Sequence, residues 1–562
     1  MLESPIHAHH LLRYSVELLD QPLSRGEQTA LVSFYDENNK RVSTHKFAVI
    51  PLQTLYEWIE KGESINLNSA YIHDFSLRDY RVSRGLDDSM PLVLKDFTAK
   101  RAFFDCDTNI DFSHSIFTGD KTIFESAIFG NGYVNFYNSQ FKSQEVNFKK
   151  VKFGSGSTTF QSSNFGDGAV NFFNANFGTG NLSFIDTNFG NGNVDFRNAY
   201  FGDGTVDFKF AKFAEGDISF QRASFENGKK DFKNVEFGGG KLDFRGIEFN
   251  DGDVSFEGVE FGNGRVNFRN CKFGHGHKNF ELADFADGEA QFEFVSFGSG
   301  SVSFNRSKVK LISFNGCHLN CFLDLRFDEC ASLDLSNTVV RDVVDLKPQG
   351  ESVVIKELSL VDMRILGRLF INWRENQVYD LIYVQKGTSL FQKAEQFRIL
   401  KENFRNNGQY DDEDDAYLEF KRCEARALFA QELEESKFKG LKAYPTYWFK
   451  KVVFDQVGHY GTAPVRVLFN AMGVVLIFSL LYFGISNYLF EWGHVATTLP
   501  DTLNVSKGFW NSVYYSSITF FTVGYGDYFA YGAVKILAAM EGFVGVFLMS
   551  YFTVAFVRKI LR

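Results

Sequence analysis

The chain has 562 residues, too many for one domain, and its 44% hydrophobic and 23% charged content is that of a globular rather than a disordered protein. A formal charge of −10 argues against nucleic acid as a main partner, since phosphate binding needs clustered Lys and Arg. Six sparse, irregularly spaced cysteines (Cys106, Cys271, Cys317, Cys321, Cys330, Cys423) make no disulfide framework, and residues 1–7 carry no basic stretch leading into an apolar run, so a reducing cytosol is expected for the bulk of the chain.

Residues 1–100 mix strand-like and helical stretches without a period or a chemical motif. They are expected to cap the repeats that begin near residue 101, because a repeat array needs its open end covered.

The array occupies 101–346. Of 66 phenylalanines, 17 fall on every twelfth position from Phe112 to Phe304 and 16 on a second such series from Phe117 to Phe297. In the unit Phe189 to Tyr200, Val194 and Phe196 alternate inward, as do Ala199 and Phe201, so each unit holds two short strands with Gly-x-Gly at one corner. A coiled chain whose turns stack on one another satisfies this spacing. A coil of 24 residues per turn, with four faces, is favoured over one of 12; the array would then stand about 40 Å tall, and about twice that with 12. The pattern resembles the phenylalanine-rich class of pentapeptide-repeat proteins, with Ala199-Tyr200-Phe201 and Val194-Asp195-Phe196 as matching units and two residues added at the corner. That resemblance implies a right-handed β-solenoid. After Phe304 the period loosens (Phe314, Phe322, Leu325, Cys330, Leu335). His275 and His277 fall on variable corner positions, so they are read as surface residues and not metal ligands. The Gly-Asp-Gly corners suggest calcium, but no column of acids repeats. Cys317 and Cys321 read as apolar filling.

Residues 347–438 are expected to form an α-helical linker. Phe391, Ala394, Phe397, Leu400 and Phe404 make one apolar stripe, and Ala416, Phe420, Cys423 and Leu428 a second, broken at Asn406-Asn407-Gly408. The acidic run Asp411 to Asp415 opens the second helix and complements its dipole. The stretch resembles the helical connector of pentapeptide-repeat, potassium-channel-like proteins. Residues 439–464, with Tyr444, Tyr447, Trp448 and Phe449 beside Lys450 and Lys451, suggest an amphipathic helix lying on a membrane.

Two stretches are long and apolar enough to cross a bilayer: 467–490, without one charged side chain, and 536–557, interrupted only by Glu541. Lys450, Lys451 and Arg466 precede the first; Arg558, Lys559 and Arg562 follow the second. The positive-inside rule then places both termini in the cytosol and the 490–530 loop outside, as an integral protein of a plasma or inner membrane. Between the spans lies Thr522-Val523-Gly524-Tyr525-Gly526, the string by which potassium filters are known. Gly524 and Gly526 permit backbone angles that turn successive carbonyls to one side, and stacked carbonyls can replace the water shell of a cation. Tyr525 is expected to pack against Trp510, Tyr514 or Tyr515, and Asp527 to sit at the outer mouth. Residues 509–521 read as a short helix whose C-terminal end favours a cation.

The segment 465–562 resembles the pore domain of bacterial two-transmembrane potassium channels. The resemblance implies a homotetramer, K+ as the permeant ion at Thr522 to Gly526, and no cofactor. Phe521 departs from the threonine often found there. Glu541 has two open readings, a carboxylate hydrogen-bonded behind the filter and a proton site that gates the pore. Gly542 and Gly545 are either hinge points or close-packing contacts.

The fold expected is thus multidomain: a right-handed β-solenoid with a 12-residue period, a helical linker and a tetrameric two-span pore. Absence of an arginine-striped segment argues against voltage sensing, and with five residues after Val557 no C-terminal nucleotide or ion sensor is expected to follow the second span. The solenoid is read as a regulatory or scaffolding domain, its cytosolic ligand or partner unspecified. The alternative is a non-conducting membrane scaffold or signalling protein. Enzyme chemistry is not expected, for lack of a nucleophile–base pair, phosphate loop or metal cluster. DNA mimicry is disfavoured by the mixed charges on the repeats.

Overall fold

The computed structural model describes residues 13–561 apart from 24, 25, 27, 37, 349, 351–353, 436, 490 and 499–507. The first twelve residues of the expected cap, Phe490 in the first expected span, part of the expected outer loop and Arg562 lie outside the described residues. The chain divides into two compact units between Lys386 and Gly387.

The first unit is a β-solenoid, and its register settles the length of a turn. Val146 pairs in parallel with Val170, Val170 with Val194, Val194 with Ile218 and Ile218 with Leu242, so one turn takes 24 residues. Each phenylalanine series therefore splits into two columns, and stacking turns by hydrogen bonds stacks their rings. Phe112 lies 4.8 Å from Phe136 at 6°, Phe136 4.8 Å from Phe160 at 5°, and Phe117 4.7 Å from Phe141 at 1°. Across the core, rings of one twelve-residue series meet edge to face, as Phe136 and Phe148 do at 5.8 Å and 89°. Offset stacking along a column and T-contacts across it are both favourable quadrupole geometries.

The corners follow from backbone chemistry. After each phenylalanine of the series from Phe112 to Phe304 the chain turns through a left-handed residue, as at Asn138 (φ 53°), and the Ser139 amide closes the turn on the Phe136 carbonyl at 3.2 Å. The Gly-x-Gly corners answer to close stacking: a Cβ on Gly156 would sit 2.1 Å from the Gly132 carbonyl oxygen. The buried column after each turn takes a small or β-branched residue, and where that residue carries a hydroxyl or thiol it can donate to the turn below. Ser163 Oγ reaches the Phe136 carbonyl at 2.6 Å, and Cys317 Sγ the Phe292 carbonyl at 2.9 Å. All six cysteines are buried and unpaired with one another.

Both expected boundaries of the coil are too narrow. Ser64–Asn66 and Ala70–His73 already pair in parallel with Leu92–Thr98 and Phe103–Asp105, so coiling begins inside the segment assigned to the cap. At the other end Ile355–Ser359, Arg364–Ile365 and Arg368–Phe370 continue the sheets well past 346, where a helical linker was expected. In both places the coil persists while the phenylalanine period does not. Turns shorten from Val302 to Leu323 and lengthen from Cys330 to Ile355, and aliphatic residues replace the rings. Three antiparallel strands, Arg13–Leu19, Thr29–Tyr35 and Arg41–Val49, extend one face at the N-terminal end, where Ala30, Val32, Phe34 and Phe47 pack on Tyr71 and Phe103. Helices α1 (Leu52–Lys61) and α2 (Leu77–Ser83) are inserted beside them. At the C-terminal end α3 (Val378–Tyr383) buries Val378, Leu381 and Ile382.

The second unit begins with a helical hairpin. Helix α4 (Leu390–Asn406) opens with a capping box between Ser389 and Gln392, and Gly408 (φ 74°) makes the break before α5 (Tyr410–Glu435). Ala394, Phe397, Leu400 and Phe404 are buried as the apolar stripe requires, but Phe391 is exposed, at the first turn of its helix. On α5 the buried face runs through Ala416, Cys423 and Ala427, and Leu428 points out instead. Helix α6 (Lys437–Phe449) runs into a π-helical segment, Lys450–Gln456, and a 3-10 turn, His459–Gly461. Three helices complete the unit: α7 (Pro464–Tyr488), α8 (Phe509–Phe520) and α9 (Val534–Ile560). Helices α7 and α9 have the length and apolarity of membrane spans.

Candidate functional site

The site is assembled where α8 ends. Its last carbonyls would be unpaired, and the next strand supplies the donors. Ile518 accepts the Val523 amide at 2.9 Å and the Gly524 amide at 3.3 Å, while Thr519 accepts that of Thr522 at 3.1 Å. That strand has left-handed angles at alternate positions: Thr522 (φ 55°), Gly524 (φ 55°) and Gly526 (φ 80°). Glycine takes such angles freely and threonine does so under strain, which is found where structure serves function. The Thr522 hydroxyl donates to the Phe521 carbonyl at 2.8 Å.

Tyr525 does not find the partners expected of it. It is 72% exposed, Trp510 is 78% exposed, and among the described residues no ring contact joins Tyr525 to Trp510, Tyr514 or Tyr515. Tyr515 instead meets Tyr482 of α7 at 5.0 Å, and Tyr514 meets Tyr528 at 5.6 Å. Phe521, also exposed, contacts only Phe520 among ring neighbours within the described residues, at 5.2 Å.

Asp527 is held from two sides. Its carboxylate accepts the Tyr514 hydroxyl at 2.9 Å and the Tyr528 amide at 3.2 Å, and its carbonyl accepts the Thr497 hydroxyl at 2.9 Å. Thr497 ends a strand that was not expected from the sequence. Gly493–Thr497 pairs antiparallel with Tyr528–Gly532, from Gly493 opposite Gly532 to Thr497 opposite Tyr528.

Behind this segment Glu541 is fully buried on α9 and accepts two hydrogen bonds. Tyr482 of α7 donates at 2.7 Å, and Ser516 of α8 donates to the other carboxylate oxygen. Ser516 is also within 2.9 Å of the Val475 carbonyl. One carboxylate thus joins three helices. Of the two glycines on α9, Gly545 lies against the end of α8: a Cβ there would fall 2.1 Å from the Phe520 carbonyl oxygen. At Gly542 the nearest such atom, the Thr519 carbonyl oxygen, is 3.9 Å away, and a Cβ fits.

The acidic run of α5 does more than cap a helix. Asp414 meets Arg558 at 3.3 Å and Lys559 at 3.2 Å, Asp411 meets Lys559 at 3.2 Å, and the Arg558 guanidinium lies 4.4 Å from the Tyr417 ring centroid. A second tie joins Arg422 of α5 to Asp455 in the π-helical segment at 2.8 Å, with Glu419 on the same guanidinium at 2.7 Å. Burial pushes the Glu419 carboxyl above its ordinary range, opposed by Arg422. The linker hairpin is thereby bonded to the C-terminal end of α9 and to the segment leading into α7.

Residues 471–562 match the ion-channel family model, a span that takes in most of α7, all of α8, the strand Thr522 to Gly526 and α9. No curated protein matches the chain. The family points to a transporter and not an enzyme. The chain therefore carries, after a phenylalanine-rich β-solenoid, a C-terminal segment similar to ion-channel domains and holding two helices long and apolar enough to cross a membrane.

Proposed function

We propose that this chain is one subunit of a homotetrameric, potassium-selective channel in a plasma or inner membrane. Both ends of the pore domain face the cytosol, and the solenoid serves as a cytosolic regulatory or scaffolding domain. The observation that carries the reading is the strand Thr522 to Gly526. It leaves the C-terminal end of α8 with left-handed angles at every second residue, and it is exposed along its length in a single chain. Four copies around an axis would turn its carbonyls onto a dehydrated K+ and cover Tyr525 and Trp510. The negative end of the α8 dipole favours a cation below. Lys450, Lys451 and Arg466 before α7, with Arg558 and Lys559 at the end of α9, support the orientation.

The test is ion flux from liposomes holding the purified protein. K+ is expected to leave and Na+ to be retained, and Gly524→Ala is expected to abolish K+ flux with the protein still folded. Equal passage of Na+, or an assembly without fourfold symmetry, overturns the proposal. No flux of either ion from a folded tetramer would favour the scaffold reading.

A further inference from the structure

The solenoid corner that follows Phe184, Phe208, Phe232, Phe256, Phe280 and Phe304 is a ridge two residues wide, and each of its turns is bonded to the next. The amides of Asp186, Phe210, Asn234, Gly258 and Leu282 donate in that order to the carbonyls of Lys209, Lys233, Glu257, Glu281 and Asn305, all between 2.9 and 3.2 Å. We propose that this ridge docks on the same ridge of a second copy of the chain, the two running antiparallel. The surface lies wholly within the solenoid and does not rest on the proposed channel function.

The apolar residues come first. Phe210 (φ 58°) and Leu282 (φ 58°) occupy the left-handed position that the other turns of this ridge give to residues such as Asn138, Ser162, Asp186 and Gly258. A bulky side chain adopts that angle reluctantly, and these two are 48% and 49% exposed. Three turns separate them, or about 14 Å. Between them the ridge is low: a Cβ on Gly258 would lie 2.5 Å from Asn234 Oδ1. Two apolar knobs thus flank a flat centre.

Charge fixes the partner. Toward the C-terminus the ridge presents Asp186, Lys209 and Lys233, then Glu257, Glu281 and Arg306. A two-fold axis crossing it between the turns of Asn234 and Gly258 sets Lys233 against Glu257 of the second copy, Lys209 against Glu281, Asp186 against Arg306, and Phe210 against Leu282. Every charge over these six turns meets its opposite. A parallel pairing sets lysine on lysine and glutamate on glutamate, and a shift of one turn brings Lys233 onto Lys233 or Glu257 onto Glu257. Within one chain Lys233 already meets Glu257 at 2.7 Å and Lys209 meets Asp207 at 3.0 Å, so docking joins these pairs into an alternating network.

The opposite corner lacks this pattern. It exposes one large left-handed side chain of the same kind, Phe294 (φ 56°), but its run of Lys150, Arg197, Arg222, Arg245 and Arg269 has a single acid, Glu293, to face it. Self-pairing there would set cations together. Two convex corners bury less area than a free dimer in dilute solution needs, so covalent trapping is the measurement that reads the contact.

The experiment traps the pair in the full-length protein held in liposomes. All six native cysteines are buried, so mild oxidation with copper–phenanthroline reports an introduced thiol. Asn234→Cys, beside the axis, is expected to give a covalent dimer. Asn198→Cys, at the same turn position on the opposite corner, is expected to give none. Added to Asn234→Cys, either Lys209→Glu or Glu281→Lys alone is expected to cut the dimer yield about tenfold, and the two together to restore it, with thermal melting showing each variant folded. Equal yields from Asn234→Cys and Asn198→Cys, a yield indifferent to the single charge reversals, or a loss that the double reversal does not restore overturns the proposal. K+ flux is measured in parallel: a trapped dimer without flux sinks the channel reading alone, and flux without a trapped dimer sinks this one alone.

Discussion

At Gly545 one missing methyl group fixes how close α9 can approach α8. The Phe520 carbonyl, at the end of α8, occupies the place of a Cβ, whereas Gly542 one turn earlier has room. Gly545→Ala is therefore expected to push α9 off α8 at a cost of about 1–3 kcal/mol, and Gly542→Ala to be tolerated. Thermal unfolding of the protein in detergent reads this difference, and equal loss in both variants would return the hinge reading to favour. Lys230 poses another residue-scale problem. It sits buried in a column where Val206 and Val254 lie above and below, and its ammonium donates to the Asp251 carbonyl at 2.7 Å. Burial lowers its pKa from 10.5 to about 8. Between those values the unfolded chain keeps a proton that the folded solenoid has released, so stability rises with pH across that window, and below about 8 the burial cost is fully present. Lys230→Val is expected to melt at a higher temperature than the wild type at pH 7, with the gap closing toward pH 10. A gap that stays constant with pH would mean the ammonium is solvated.

Elements gain their stability from register, and register explains what could be read in advance. The twelve-residue period was legible because identical rings recur wherever the backbone repeats. The choice of 24 over 12 residues per turn rested on how sharply a chain can reverse, and the parallel pairing bears it out. Past Phe304 the same coil is built by Val309, Ile312, Leu333 and Leu358, which carry no distinctive period, so its true end at Phe370 was not legible. The strand pair beside Asp527 was hidden for a related reason: five residues on each side are too few for a pattern to stand out from a loop. Long-range ion pairs leave no trace in spacing at all. Asp414 and Arg558 are 144 residues apart, yet they tie the linker hairpin to α9. In a double-mutant cycle of Asp414→Asn and Arg558→Gln, opening of the pore is expected to show a coupling of about 0.5–1 kcal/mol that shrinks as salt rises. Strict additivity, measured by K+ flux in liposomes, would make the pair a passive surface contact.

At the scale of the whole molecule the division between Lys386 and Gly387 is decisive. Each unit has its own core: stacked rings and aliphatic columns in the first, the linker hairpin and pore helices in the second. The ties from Asp411 and Asp414 to the end of α9 lie wholly within the second unit, so removal of residues 1–386 leaves them intact. The truncated chain is accordingly expected to assemble and to pass K+. Any influence of the solenoid on the pore along the backbone must cross a short stretch: α3 ends at Tyr383, Gln385 still donates to the Leu358 carbonyl at 2.6 Å, and Ser389 already caps α4. Gly387 (φ 78°) is the natural place to lengthen that stretch. A flexible Gly-Ser insertion there would let the two units move independently while keeping both, because such linkers behave as random coils that transmit little force. If the solenoid regulates by mechanical pull, the insertion should reproduce the flux of the truncated channel. If it regulates through a bound partner held near the pore, the insertion should behave like the full chain, since a short coil barely lowers effective concentration. A truncated chain that fails to form tetramers would overturn the separation itself and make the solenoid part of the assembly.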